Sequence, residues 1–116
     1  MTTRQDVVAT YFDGFGSSDH EQILDLLTDD VVWHLPGHAH LTGKKAFDDE
    51  IENPAFDGSP MLTVDRLLEE GDVVVATGEG QGALAAGGAL RFAFCTIFTF
   101  RDGLIERVES YVVPLP

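Results

Sequence analysis

Between residues 90 and 100 the chain sets Phe92, Phe94, Phe98 and Phe100 on alternate positions, with Thr96 in the remaining slot. Alternate residues of an extended strand face opposite sides of a sheet. The spacing predicts a strand with one face walled by phenyl rings around a single hydroxyl. The other parity, Ala93, Cys95, Ile97 and Thr99, is small or β-branched. Both faces read as buried. In a chain of 116 residues, helices can cover only one of them. The second face predicts a homodimer packed sheet to sheet.

The elements around this strand follow from spacing and turn chemistry. A first helix is expected over 4–15, capped by Thr3, with Val8, Tyr11, Phe12 and Phe15 on one face. Ser18-Asp19-His20-Glu21 reads as a capping box. It opens a short helix carrying Ile23, Leu24, Leu26 and Leu27. A strand over 31–35 leaves the acidic turn Asp29-Asp30 and stops at Pro36-Gly37. A third helix is expected over 44–52, ended by Pro54. Strands over 61–69, 73–81, 90–100 and 104–113 follow. Glu70-Gly71-Asp72 and Arg101-Asp102-Gly103 mark turns, the latter a strong hairpin signal. Helices first and strands afterwards predict an α+β domain, with helices on one face of a mostly antiparallel sheet. In the strand over 73–81, Ala76, Gly78 and Gly80 share a parity. Such small residues either make room for the neighbouring rings or leave a cavity.

Composition narrows the function. One domain over 1–116 is expected. Seven basic against twenty acidic residues give a net charge of −13, which argues against nucleic acid and against anionic membrane surfaces as partners. No apolar run is long enough to span a bilayer, and the N-terminus lacks a signal-peptide pattern. A single cysteine, Cys95, forms no internal disulfide, so a cytoplasmic location is the expectation.

Four segments carry a resemblance. They are Val7-Val8-Ala9-Thr10-Tyr11-Phe12, Asp29-Asp30-Val31-Val32-Trp33-His34-Leu35-Pro36-Gly37, Leu41-Thr42-Gly43-Lys44-Lys45-Ala46-Phe47, and Phe98-Thr99-Phe100-Arg101-Asp102-Gly103-Leu104-Ile105. In this order they resemble the SnoaL-like branch of the nuclear transport factor 2-like superfamily, to which ketosteroid isomerases and polyketide cyclases also belong. The resemblance implies a cone: a curved sheet wrapped around the N-terminal helices, with an apolar pocket at one end and pairing of cones through their sheets. It does not imply one activity, since this fold hosts enzymes and binders alike.

Ketosteroid isomerase uses an Asp base, a Tyr and a protonated Asp. Position by position, Tyr11 matches the oxyanion-donating tyrosine. Leu35 stands where the base would be, and Thr96 where the protonated acid would be. The histidines are the replacement bases to consider, because imidazole titrates near neutral pH. By the resemblance Trp33 and Leu35 face the pocket, so His34 points away. His38 and His40 fall on a loop beyond Pro36-Gly37, at the pocket rim. His-x-His spacing can chelate a metal, but a cupin arrangement needs a Glu soon after the second His. Here Leu41-Thr42-Gly43-Lys44-Lys45 follow, so no metal is expected. No phosphate loop, dinucleotide fingerprint or nucleophile elbow is present, so no cofactor is expected.

Two readings follow. In one, the chain is a cofactor-free isomerase or cyclase acting beside a carbonyl of a hydrophobic or polycyclic substrate, with Tyr11 as donor and His38 or His40 as base. In the other it binds a hydrophobic small molecule without chemistry. In both, Trp33, Leu35, Phe94, Thr96 and Phe98 are the expected ligand contacts.

Overall fold

Thr3 starts the first helix as its composition predicts. Its hydroxyl accepts the Asp6 N–H and the Asp6 carboxylate accepts the Thr3 N–H, each at 3.0 Å. These bonds hold the Asp6 carboxyl below its ordinary range. In the computed structural model, which describes residues 3–52, 57–58 and 60–116, the elements run α1 (Arg4–Ser17), α2 (His20–Leu24), β1 (Leu27–Leu35), β2 (Ala39–Thr42), α3 (Lys44–Ile51), β3 (Met61–Glu70), β4 (Val73–Ala83), β5 (Ala89–Arg101) and β6 (Leu104–Leu115). The six strands form one curved sheet in the order β2-β1-β6-β5-β4-β3. All neighbours are antiparallel except β1 and β6, which run parallel. The architecture is the expected α+β sheet wrapped around N-terminal helices. Pro54 lies outside the described residues.

Two expectations need correction at the start of the chain. Ser18 does not cap α2. It closes α1 in the left-handed region, at φ 54° and ψ 38°. Asp19 caps α2 instead, accepting the Gln22 N–H at 3.0 Å. The reversal is tight: a Cβ on Gly14 would lie 2.7 Å from Ile23 Cγ1, so the helices meet where α1 has no side chain. Gln22 ties them further, donating to the Thr10 carbonyl at 3.0 Å and to Asp13 at 3.1 Å. The second helix also stops at Leu24, and Leu27 already belongs to β1.

Strand β1 is longer than expected, and Asp29-Asp30 lies within it rather than in a turn. The pairing with β6 is irregular between Leu27 and Val32. Leu27, Val31 and Trp33 point into the core while both aspartates face solvent. Arg101 receives Asp30 with two hydrogen bonds, at 2.7 and 3.2 Å. The guanidinium holds the Asp30 carboxyl down at about 2. Strand β2 replaces the loop expected beyond Pro36-Gly37. Pro36-Gly37 turns the chain, and Ala39–Thr42 pairs back on β1.

The glycines of β4 explain how the aromatic wall fits. Gly78 pairs with Phe94 and Gly80 with Phe92. A Cβ on Gly80 would meet Phe92 Cζ at 2.3 Å. One on Gly78 would meet Phe94 Cζ at 2.9 Å and the Thr63 carbonyl oxygen at 2.0 Å. The rings lie flat over β4 because nothing projects there. On α1, Tyr11 packs edge-on against Phe98 at 4.9 Å between ring centres, and Phe12 stacks on Phe94 at 5.4 Å. In β6, Ile105 and Val108 are both fully buried although three apart. The register against β5 shifts beside Phe100 and resets the parity. Glu106 consequently leaves the inner face and pairs with Arg101 at 3.3 Å.

The helices are joined by charge. His20, on α2, sits between Asp48 of α3 and Glu52, the latter at 2.8 Å. Hydrogen bonds to Asp48 and then Glu52 raise the imidazole above its ordinary 6.5. The sign follows from linkage: a folded-state value above the unfolded one stabilises fully below pH 6.5 and is lost as pH rises through the higher folded value. Denaturant unfolding of wild type and His20→Gln is expected to differ most below pH 6.5, with the gap closing as the buffer becomes alkaline.

Candidate functional site

Where the aromatic wall of β5 runs past the end of α1, the rings do not fill the space. A cavity of about 170 Å³ opens there. Helix α1 contributes Tyr11, Phe12 and Phe15. Trp33 and Leu35 come from β1, Leu62 from β3, and Phe92, Phe94 and Thr96 from β5. Ser110 and Val112 complete it from β6. Each reaches the cavity by parity. Trp33 and Leu35 alternate with His34, and Ser110 and Val112 continue the inward phase set by Val108.

The polar groups are few and all neutral. Trp33 Nε1 donates to Ser110 Oγ at 3.2 Å, which leaves the serine hydrogen for another acceptor. Trp33 itself is stacked on Phe47 at 4.2 Å, so the indole is fixed on its far side by the core. Tyr11 and Thr96 bring their hydroxyls to the same space. Burial pushes the Tyr11 phenol above its ordinary 10, because a phenolate there would lose its hydration. The phenol is therefore held as an O–H donor. Among the described residues no carboxylate, imidazole, amine or thiol lines the cavity. The arrangement can bind and orient a neutral carbonyl or hydroxyl group. It has no group that would accept a proton from carbon.

The structure brings together Tyr11, Trp33, Leu35, Phe94 and Thr96 from the expected set. It separates three others. Phe98 is fully buried beneath the wall, edge-on to Tyr11 and to Phe12, and does not line the cavity. His38 is exposed on the turn after β1, with Nε2 3.5 Å from Glu50 of α3. His40 lies on β2 directly opposite His34, on the outer face of the sheet. Neither histidine reaches the cavity. The reason is the unpredicted strand: the Pro36-Gly37 turn reverses the chain, and pairing with β1 gives His40 the outward parity of His34. Glu79 and Glu109 face outward as well, paired with Arg91 at 3.4 Å and Arg107 at 2.9 Å.

Sequence reasoning passed over Phe12, Phe15, Leu62, Phe92, Ser110 and Val112 as cavity residues. Ser110 was legible, because it shares parity with Val108. Leu62 was not, because its approach depends on sheet curvature. Burial of Tyr11 has a direct test. Spectrophotometric alkaline titration of wild type minus Tyr11→Phe is expected to show no phenolate appearing near pH 10 while the protein remains folded.

The SnoaL-like domain model matches residues 8–108. No curated protein matches the chain by sequence. An NTF2-like protein of unknown function from Burkholderia pseudomallei has a TM-score of 0.90 at 20% identity, over 97% of this chain and 92% of that one. TerC, crystallised with polyporic acid, has a TM-score of 0.86 at 23% identity, over 95% and 91%. An LEH-like epoxide hydrolase from M. tuberculosis has 0.82 at 16%, over 95% and 82%. At these identities the likeness to the solved structures is one of fold. With its helices and sheet order in the NTF2-like fold and the family model matching most of its length, the chain belongs to the SnoaL-like family.

Proposed function

We propose that this protein binds a neutral, mainly apolar small molecule whose carbonyl or hydroxyl oxygen sits against Tyr11, Thr96 and Ser110. The observation that carries the reading is an aromatic cavity lined by the hydroxyl residues Tyr11, Thr96 and Ser110 and, among the described residues, by no ionisable base. An ion placed there would lose its hydration without a counter-charge, so a charged ligand is disfavoured. A cavity of roughly 150 Å³ holds benzene. A volume of about 170 Å³ therefore supports a compact one- or two-ring core, with any larger portion extending past half-exposed Val112.

A second reading, a cofactor-free isomerase or cyclase, keeps some support from Tyr11. A phenol held protonated beside the cavity is suited to stabilise a developing oxyanion. This reading ranks second because His38 and His40 both lie outside the cavity.

Trp33 is the only tryptophan and lines the cavity, so its fluorescence reports occupancy. Titration with small aromatic ketones is expected to quench it. One neutral hydrogen bond contributes about 0.5–1.5 kcal/mol, so Tyr11→Phe should weaken binding by roughly 2- to 10-fold. The same ketones, if enolisable, should show no turnover. Turnover abolished in Tyr11→Phe would establish the enzyme reading, and no quenching by any of these ligands would remove the binding one.

The homodimer is also proposed, through the outer face of the sheet. Val75 pairs with Ile97 and Leu68 on its two sides, and Tyr111 and Val113 sit opposite Cys95 and Ala93. Leu68 and Val113 are 55% and 60% exposed in the single chain, a continuous apolar strip of the kind that second copies cover. Sedimentation at micromolar concentration is expected to give a dimer, and a strict monomer would overturn this proposal.

A further inference from the structure

Two histidines outside the cavity meet each other. His34 and His40 are directly opposed on the antiparallel pair β1–β2, and their Nδ1 atoms lie 3.1 Å apart. The rings stand at 66° with centres 5.2 Å apart, so the nitrogens converge while the ring bodies diverge. Without a ligand, one Nδ1–H donates to the other Nδ1. We propose that this cross-strand pair is a two-imidazole site for a divalent transition-metal ion.

The geometry supports chelation. Metal–imidazole bonds are about 2.0–2.1 Å, so two donors 3.1 Å apart subtend about 100° at a shared ion. That angle lies between the octahedral and tetrahedral values, and a modest rotation of each ring turns its Nδ1 from its neighbour toward the shared ion. The donor ring tautomerises: its Nδ1–H bond is lost, an Nε2–H bond forms, and that N–H donates a hydrogen bond to water. The two freed Nδ1 lone pairs each form a bond to the ion and displace one water from its hydration shell.

Surroundings and access favour a cation. His40 is exposed and β2 is the edge strand, so the site opens to solvent beside the sheet. Glu109, the register partner of His34 across the parallel pair, is already paired with Arg107, and the chain's net charge of −13 concentrates cations near its surface. Among the described residues no cluster of three or more His, Cys, Asp or Glu is placed to hold a metal. The remaining coordination positions would hold water, and imidazole donors select copper, nickel or zinc over calcium or magnesium. The chelating partner is thus His34, not His38, although His38-x-His40 is the pair that sequence spacing offers.

The test titrates Cu(II) and Zn(II) into the whole protein, with Ca(II) as a comparison. One Cu(II) per chain is expected, with an electron paramagnetic resonance signature of two nitrogen donors. His34→Ala and His40→Ala should each weaken binding at least tenfold, and His38→Ala by less than twofold. Tyr11→Phe should have no effect on the metal. Circular dichroism establishes that each variant is folded. Equal weakening by His38→Ala and His40→Ala, or wild-type binding no tighter than that of the His34→Ala/His40→Ala double variant, would overturn the proposal. Neither result bears on ligand binding in the cavity.

Discussion

The packing of α1 against the rings of β5 is the contact on which the rest of the molecule depends. Tyr11 and Phe12 meet Phe94 and Phe98 from one side, and Gly78 and Gly80 receive Phe94 and Phe92 from the other. The helix can lie close to the sheet because the rings lie down, and they lie down because β4 has no Cβ at those two positions. A side chain at Gly78 would collide with the β3 backbone as well as a ring. The wall, the helix and the third strand are therefore one packing problem with one solution. Where that packing ends, at Phe92, Thr96 and Phe15, the cavity begins.

The chemistry of the cavity reflects a division of charge. All ion pairs involving Arg4, Arg91, Arg101 and Arg107 lie on the exterior. The interior polar groups are hydroxyls and one indole N–H. Such groups would orient a ligand without strongly attracting an ion, so in the proposed binding role selectivity would rest on shape and on one or two hydrogen bonds. The acidic exterior acts separately: it concentrates small cations around the molecule, while the cavity remains neutral.

Much of this was legible in the sequence because it rests on period and punctuation. The Phe92–Phe100 alternation, the Asp102-Gly103 turn and the Thr3 cap each specify local geometry through a single physical requirement. Trp33 and Leu35 reach the cavity for the same reason. Strand β2 escaped notice because four residues after Pro-Gly carry little period, although Ala39-His40-Leu41-Thr42 does alternate. Its omission displaced His40 from the outer face to an imagined rim. Phe98 misled in the opposite way. It has the correct parity, but depth along the wall decides whether a ring lines the cavity or lies beneath it, and parity does not encode depth. The Ser18 cap failed because two adjacent capping residues compete, and the turn closing α1 takes the first.

The parallel pairing of β1 with β6 has a kinetic consequence. Leu27 pairs with Ile105, and Trp33 with Val108. Trp33 also donates its indole hydrogen to Ser110, seventy-seven residues later. These contacts require loop closure over most of the chain, the kind of step that slows folding. During synthesis the Phe-rich strand emerges before β6 can cover its edge. The nascent chain therefore presents an aromatic strand with one edge unpaired until β6 emerges. The cavity cannot form before that closure, because Ser110 and Val112 of β6 line it, so its formation marks completion of the fold rather than of any part of it.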